Sequence, residues 1–109
     1  MGVIYRHFLP ETCYSCAYCN THLATPAQIL SKAFVAKNGR AYLFNTVINT
    51  SMGDEEEREL NTGLHRVADV YCVGCLAKLG WKYLYAHDPS QKYKEGSIIL
   101  EVILFLSLS

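Results

Sequence analysis

The sequence predicts a mainly β fold in a single domain, and three features carry that expectation. Asn38-Gly39 sits between two strand-like runs, which is the signature of a hairpin. Runs rich in aromatic and branched residues recur at 64–71, 80–86 and 97–105. Two C-x-x-C pairs, Cys16/Cys19 and Cys72/Cys75, lie 52 residues apart and promise a cross-link between distant parts of the chain. At 109 residues, 50% of them hydrophobic, the chain has apolar surface for one core and falls in the size range of one domain. A domain this small folds with little stability to spare, so a cross-link matters.

Taken in order, Thr25-Pro26 is a helix start with Thr as cap and Pro at the first helical position, and the helix it opens is short. Asn38-Gly39 then supplies the positive φ angles of a type I′ turn joining 31–37 to 40–44. Residues 49–63 are polar, contain Gly53, Gly63 and the acidic run Asp54-Glu55-Glu56-Glu57, and read as a long surface loop with at most a short helical turn. Within 80–86, period-two alternation places Trp81, Tyr83 and Tyr85 on one face and Lys82, Leu84 and Ala86 on the other. The last apolar run, interrupted by Glu101, is too short to cross a bilayer and reads as a buried final strand.

The cysteines carry the strongest chemistry. Two residues between thiols let one tight turn present both sulfurs to a tetrahedral Zn²⁺, and Gly74 suits such a turn. Cys16, Cys19, Leu23 and Ala24 recur 56 positions later as Cys72, Cys75, Leu79 and Gly80, which suggests two similar halves clamping one metal. Cys13-Tyr14-Ser15-Cys16 is itself a C-x-x-C, but only the 16/19 register gives the 56-residue match, so Cys13 is left as a spare thiol. Four cysteines complete the shell without His22 or His65. Losing the metal is expected to unfold the domain.

The start of the chain lacks the basic and apolar regions of a secretory signal, so an intracellular, reducing compartment is expected. Four basic and one acidic side chain precede residue 51, and six basic and nine acidic follow it. With four thiolates on one Zn²⁺ the balance turns negative, away from the positive footprint of a nucleic-acid binder. Neither nucleic acid nor membrane is an expected partner.

Tyr14-Ser15-Cys16-x-x-Cys19-x-x-His22-Leu23-Ala24, Gly39-Arg40-Ala41-Tyr42-Leu43-Phe44-Asn45, Thr62-Gly63-Leu64-His65-x-Val67-Ala68-Asp69-Val70-Tyr71-Cys72-x-x-Cys75, Gly80-Trp81-Lys82-Tyr83 and Gln91-Lys92-Tyr93-Lys94-Glu95-Gly96 resemble, in the same order, the motifs of Yippee proteins, the plant type included. The resemblance covers about residues 14–101. It implies a β-tent of two antiparallel sheets pinned by one Cys₄ zinc site, as in the thalidomide-binding domain of cereblon, and a nuclear or cytoplasmic role in protein assemblies. It divides the chain into an N-terminal segment, 1–12, a Yippee domain, 13–101, and a C-terminal tail, 102–109. That tail, Val102-Ile103-Leu104-Phe105-Leu106 onward, is apolar where the family usually ends in a short polar one, and Cys13 is a second departure.

The function expected is a non-catalytic, zinc-stabilised module for protein interaction or ligand recognition. By resemblance to the cereblon-like aromatic cage, Trp81 and Tyr83 are the candidate ligand-binding walls, suited to a cation or a flat ring. Their other reading is core packing, and Trp81 is the only tryptophan, so no full tryptophan cage exists. Zinc catalysis has no H-x-E to supply an acid/base. The alternative is a thiol-dependent reductase on a scaffold like methionine sulfoxide reductase B, for which Cys13 is the sole spare thiol.

Overall fold

Nine strands and three short 3₁₀ turns make up residues 13–108, the part of the chain that this computed structural model describes. The expected N-terminal segment, 1–12, lies outside the described residues. The strands are β1 (Cys13–Cys16), β2 (His22–Ala24), β3 (Ile29–Ala36), β4 (Gly39–Phe44), β5 (Thr50–Leu60), β6 (Gly63–Cys72), β7 (Lys78–Ala86), β8 (Ile98–Glu101) and β9 (Phe105–Leu108). They form two antiparallel sheets, of order β2-β1-β9 and β3-β4-β8-β7-β6-β5. This is the expected mainly β, two-sheet architecture.

Side-chain alternation divides the larger sheet into two working faces. Tyr42 and Phe44 of β4, Val70 and Cys72 of β6, Leu79 of β7 and Ile98 and Leu100 of β8 join Tyr14, Cys16, Leu23, Ala24 and Phe105 in the core that includes the smaller sheet. Ala41, Leu43, Val67, Tyr83 and Ile99 form a second cluster, with Phe34, Leu60 and Trp81 packed against it. β8 is buried along its whole length because both faces are covered. In the first core Tyr14, Tyr42, Phe44 and Phe105 meet mainly edge to face, with Tyr14 and Phe105 centroids 5.1 Å apart. Pairs of this kind add about 0.5–1.5 kcal/mol beyond their burial.

The Thr25-Pro26 signal produces one 3₁₀ turn, Pro26–Gln28, and Gln28 Oε1 accepts the Thr25 backbone N–H at 3.0 Å. The hairpin at Asn38-Gly39 forms, but not as a type I′ turn. Ala36 pairs with Gly39, so Lys37 and Asn38 make the turn and only Gly39 has positive φ, +125°. A type I′ turn needs positive φ at both central residues.

Three further expectations are corrected. Residues 50–60 are not a loop: β5 is an eleven-residue edge strand paired with β6 from Thr50↔Cys72 to Leu60↔Gly63. Its charges explain the polar reading and serve an edge strand, since they discourage pairing with another chain. The final apolar run is not one strand. It breaks at a 3₁₀ turn, Val102–Leu104, so β8 stays in the larger sheet and β9 crosses to pair with β1 in the smaller. Tyr85 does not share a face with Tyr83. Val67 pairs with Tyr83 but Arg66 with Tyr85, so Leu84 is an extra residue on β7, a bulge that reverses the alternation. Tyr85 turns outward beneath Lys92 Nζ, 3.8 Å from its ring centroid, while Ala86 is buried.

Gly80 pairs with Leu100 and lies tight against the β8 backbone. A Cβ there would lie 1.8 Å from the Ile99 carbonyl oxygen, a backbone atom that cannot move aside cheaply. Gly80→Ala is therefore expected to destabilise the domain by about 3 kcal/mol or to prevent folding. Thermal unfolding of holo-protein checks this; an unchanged Tm would refute the close approach.

Candidate metal centre

Each pair of cysteines stands at the tip of a hairpin, and the two tips are built alike. In the first, Ser15 pairs with His22 across β1 and β2, Cys16 N–H donates to Thr21 O at 2.8 Å, and Asn20 N–H donates to Cys16 O at 2.8 Å. In the second, Tyr71 pairs with Lys78, Cys72 N–H donates to Ala77 O at 2.9 Å, and Leu76 N–H to Cys72 O at 2.8 Å. Every position is offset by 56. Asn20 and Leu76 both take left-handed backbone, φ 62° and 65°, which closes the turn behind the second thiol. Asn tolerates that region; Leu is strained in it.

The four thiols converge from the two sheets. Cys16, Cys19, Cys72 and Cys75 have all their Sγ atoms within 4.8 Å of one another, with Cys16 to Cys75 at 3.7 Å and Cys19 to Cys72 at 3.5 Å. A tetrahedral site with Zn–S bonds of 2.3 Å has sulfur–sulfur edges of roughly 3.8 Å, so the donor set and its spacing fit such an ion. Four thiolates close the shell and leave no position for substrate. The ion would act as a staple. Cys13 is not in the cluster: it is buried on β1, and burial raises its thiol pKa, the opposite of what an activated nucleophile needs.

Side chains and carbonyls around the cluster hold the tips in place. Thr21 Oγ1 lies 3.0 Å from Cys19 Sγ, and Gly74 N–H donates to Cys72 Sγ at 3.3 Å. Before a metal binds, burial pushes the Cys16 thiol up to about 12; at Cys19 burial is outweighed by the Thr21 hydrogen bonds, and the pKa falls to about 6. Asn49 ties the tips together. Its carbonyl accepts Val73 N–H at 3.0 Å and its Nδ2 donates to His22 O at 2.7 Å, from a backbone with φ 57° that Asn adopts readily. Neither Thr21 nor Asn49 stood out in the sequence, because neither belongs to a repeat or a ligand pattern.

The other candidate pair lies elsewhere. Trp81 and Tyr83 face away from the thiol-bearing core, so the aromatic face is on the opposite side of the larger sheet from the cluster. They line a concavity of about 1300 Å³ whose walls come from β3 and from the β5–β6 hairpin, the two edges of that sheet, curled toward each other. Their rings meet edge to face with centroids 6.2 Å apart. Phe34 and Tyr93 complete the aromatic lining. Around the rim, Asp69 holds Arg58 at 3.1 Å and Lys78 at 3.4 Å, and Arg58 also pairs with Glu56. Burial raises the Tyr83 phenol pKa, with Trp81 opposing.

Two helix-poor antiparallel sheets joined by four clustered thiols define a metal-binding β domain, and comparison with known proteins agrees. The Yippee-Mis18 family model, described as Yippee zinc-binding/DNA-binding/Mis18, centromere assembly, matches residues 12–108. A yippee-like protein of Arabidopsis thaliana is 53% identical over 102 residues, 94% of this chain and 84% of its own length. Protein yippee-like 4 of Rattus norvegicus is 50% identical over 100 residues, 90% of this chain and 79% of its own. The chain belongs to the Yippee-Mis18 family. The crystal structure of the Yippee-like domain of Mis18 shares the fold, with a TM-score of 0.71 over 90% of this chain and 95% of that one at 9% identity.

Removing the metal is expected to unfold the domain, since structural zinc contributes on the order of 10–16 kcal/mol in small peptides. Circular dichroism during chelation, with metal content measured in parallel, checks this. Cys72→Ser should lose the ion and the fold; Cys13→Ser should keep both. Because each thiol must shed its proton to bind as a thiolate, metal affinity should rise with pH and fall on acidification. Leu76→Gly should raise stability by roughly 1 kcal/mol through relief of left-handed strain, at unchanged metal content.

Proposed function

We propose that this chain is a non-catalytic recognition module, held in shape by Zn²⁺ on Cys16, Cys19, Cys72 and Cys75, that binds a protein partner through the concavity floored by Trp81 and Tyr83. The observation that carries the reading is that concavity: aromatic walls, polar rim, and a position on the sheet face opposite the closed thiol cluster. Zinc is supported by the four-sulfur spacing and by the family's description. Free cysteines used as ligands suit a reducing compartment, which supports the nucleus or cytoplasm.

The family description also names DNA binding. The rim argues for protein instead, because, of its three cations, Arg58 and Lys78 are engaged by Asp69 and Glu56, and Lys37 alone makes no basic stripe for phosphates. Among the described residues no helix is long and apolar enough to cross a membrane.

Screening zinc-loaded protein against a library of short peptides, with Trp81 fluorescence as the readout, tests the proposal. At least one sequence-selective binder that perturbs Trp81 is expected. A flat response across the library, from protein with one bound zinc and intact circular dichroism, would overturn it.

A further inference from the structure

Lys94 ends the 3₁₀ turn Pro89–Lys94 and is 1% exposed. Its Nζ lies 5.1 Å from the Phe34 ring centroid, 5.3 Å from that of Tyr83 and 5.8 Å from that of Tyr93, and donates to Thr62 Oγ1 at 2.8 Å. The aromatic box beside the concavity is thus already filled, by a cation of the chain itself. An ammonium has three N–H donors. Among the described residues Thr62 takes the one bond recorded, and no carboxylate lies within ion-pairing distance. Burial without a counter-ion lowers the Lys94 pKa below its ordinary value.

Thr62 and all three rings line the concavity, and so does Trp81. Behind that lining Lys94 keeps N–H donors that Thr62 does not use. The lining carboxylates are engaged or turned to solvent: Asp69 and Glu56 hold Arg58, Glu101 Oε1 accepts the Asn38 N–H at 3.3 Å, and Glu59 is exposed. Tyr93 is the exposed member of the box, at 65%. Exposed side chains change rotamer within nanoseconds, so access to Lys94 runs past that ring.

We propose that the concavity takes a carboxylate, which supplies the counter-ion Lys94 lacks, and that Lys94 closes the aromatic box to cations. This deepens the recognition function proposed above and rests on it. It also reverses half of the expectation from sequence, where the aromatic walls suited a cation. A free organic acid and the carboxylate of a peptide share this chemistry.

The test titrates zinc-loaded protein with phenylacetate, its neutral analogue phenylacetamide, and benzyltrimethylammonium, following Trp81 fluorescence. Wild type should bind phenylacetate at least about tenfold more tightly than the amide, as a hydrogen bond between charged groups warrants, and should ignore the ammonium. Lys94→Met should lose that preference and gain a response to benzyltrimethylammonium, while Lys94→Arg keeps the carboxylate preference. Lys94→Gln replaces the Met variant if that protein fails to hold zinc. A wild type that favours the amide or the ammonium, or a neutral variant that keeps the acid preference, overturns the proposal. Acetylated tripeptides with a free or an amidated C-terminus separate the sources: a gain confined to the free-acid peptide assigns a chain terminus, and an equal gain from phenylacetate assigns any small acid. Silence toward the small probes and no preference for the free-acid tripeptide, in a protein that still binds library peptides through Trp81, refute the carboxylate inference alone; silence toward every probe and the library refutes the recognition reading with it.

Discussion

Four sulfurs within 4.8 Å, drawn from hairpin tips 56 residues apart, are the constraint on which the rest of the chain depends. The tips belong to different sheets, β1–β2 to the smaller and β6–β7 to the larger, so closing the cluster fixes how the sheets approach. The core between them then has its shape decided at one end by the four-thiol cluster and along its length by Tyr14, Phe44 and Phe105 packing edge to face. A chain of 109 residues buries too little surface to hold two sheets together with much margin. Coordination of thiols distant in sequence restricts the unfolded chain as well as bonding the folded one. Asn49 belongs to this device, since it hydrogen-bonds a backbone group in each hairpin and limits how far the tips can drift apart.

What was readable in the sequence was what local chemistry dictates. The 56-residue repeat picked out the four cysteines that cluster because a C-x-x-C turn imposes its own hydrogen bonds, and both copies make the same set. β6 and β7 were legible from their aromatic and branched residues, and the β3–β4 hairpin from Asn38-Gly39. β5 was not, because an edge strand with solvent-facing charges has no apolar period to read; its partner β6 decides its conformation. The bulge at Leu84 and the break after Glu101 escaped for a related reason. Each re-aims side chains to fit a neighbour that only the folded sheet supplies: Ala86 into the interior, Phe105 into the aromatic cluster.

The same geometry separates structure from function. Alternation along β6 sends Cys72 to the core beside the thiol cluster and Val67 to the cluster beneath the concavity, and an extra residue in β7 at Leu79 turns Leu79 to the first core while Tyr83 belongs to the second. A closed four-sulfur shell on the far side of a sheet cannot polarise a ligand held there. Its contribution is rigidity: the larger sheet is anchored at the β6–β7 tip, so Trp81 and Tyr83, a few residues along β7, are placed by the strand and not by a loop. The aromatic pair read from resemblance and the metal read from spacing are thus two faces of one sheet.

Lys94 is the energetic oddity of that second face. A buried ammonium costs several kcal/mol of lost hydration when no counter-ion replaces the water. Three aromatic faces offset part of this, at about 0.5–2 kcal/mol for a close and desolvated contact, and Thr62 offsets a little more. A methionine would fill the same box without the desolvation cost. Stability alone therefore favours an apolar side chain at this position, and the fold carries a charge it does not need for folding. An ammonium held behind an aromatic concavity with one hydrogen bond and no carboxylate is therefore the feature from which the carboxylate inference grows.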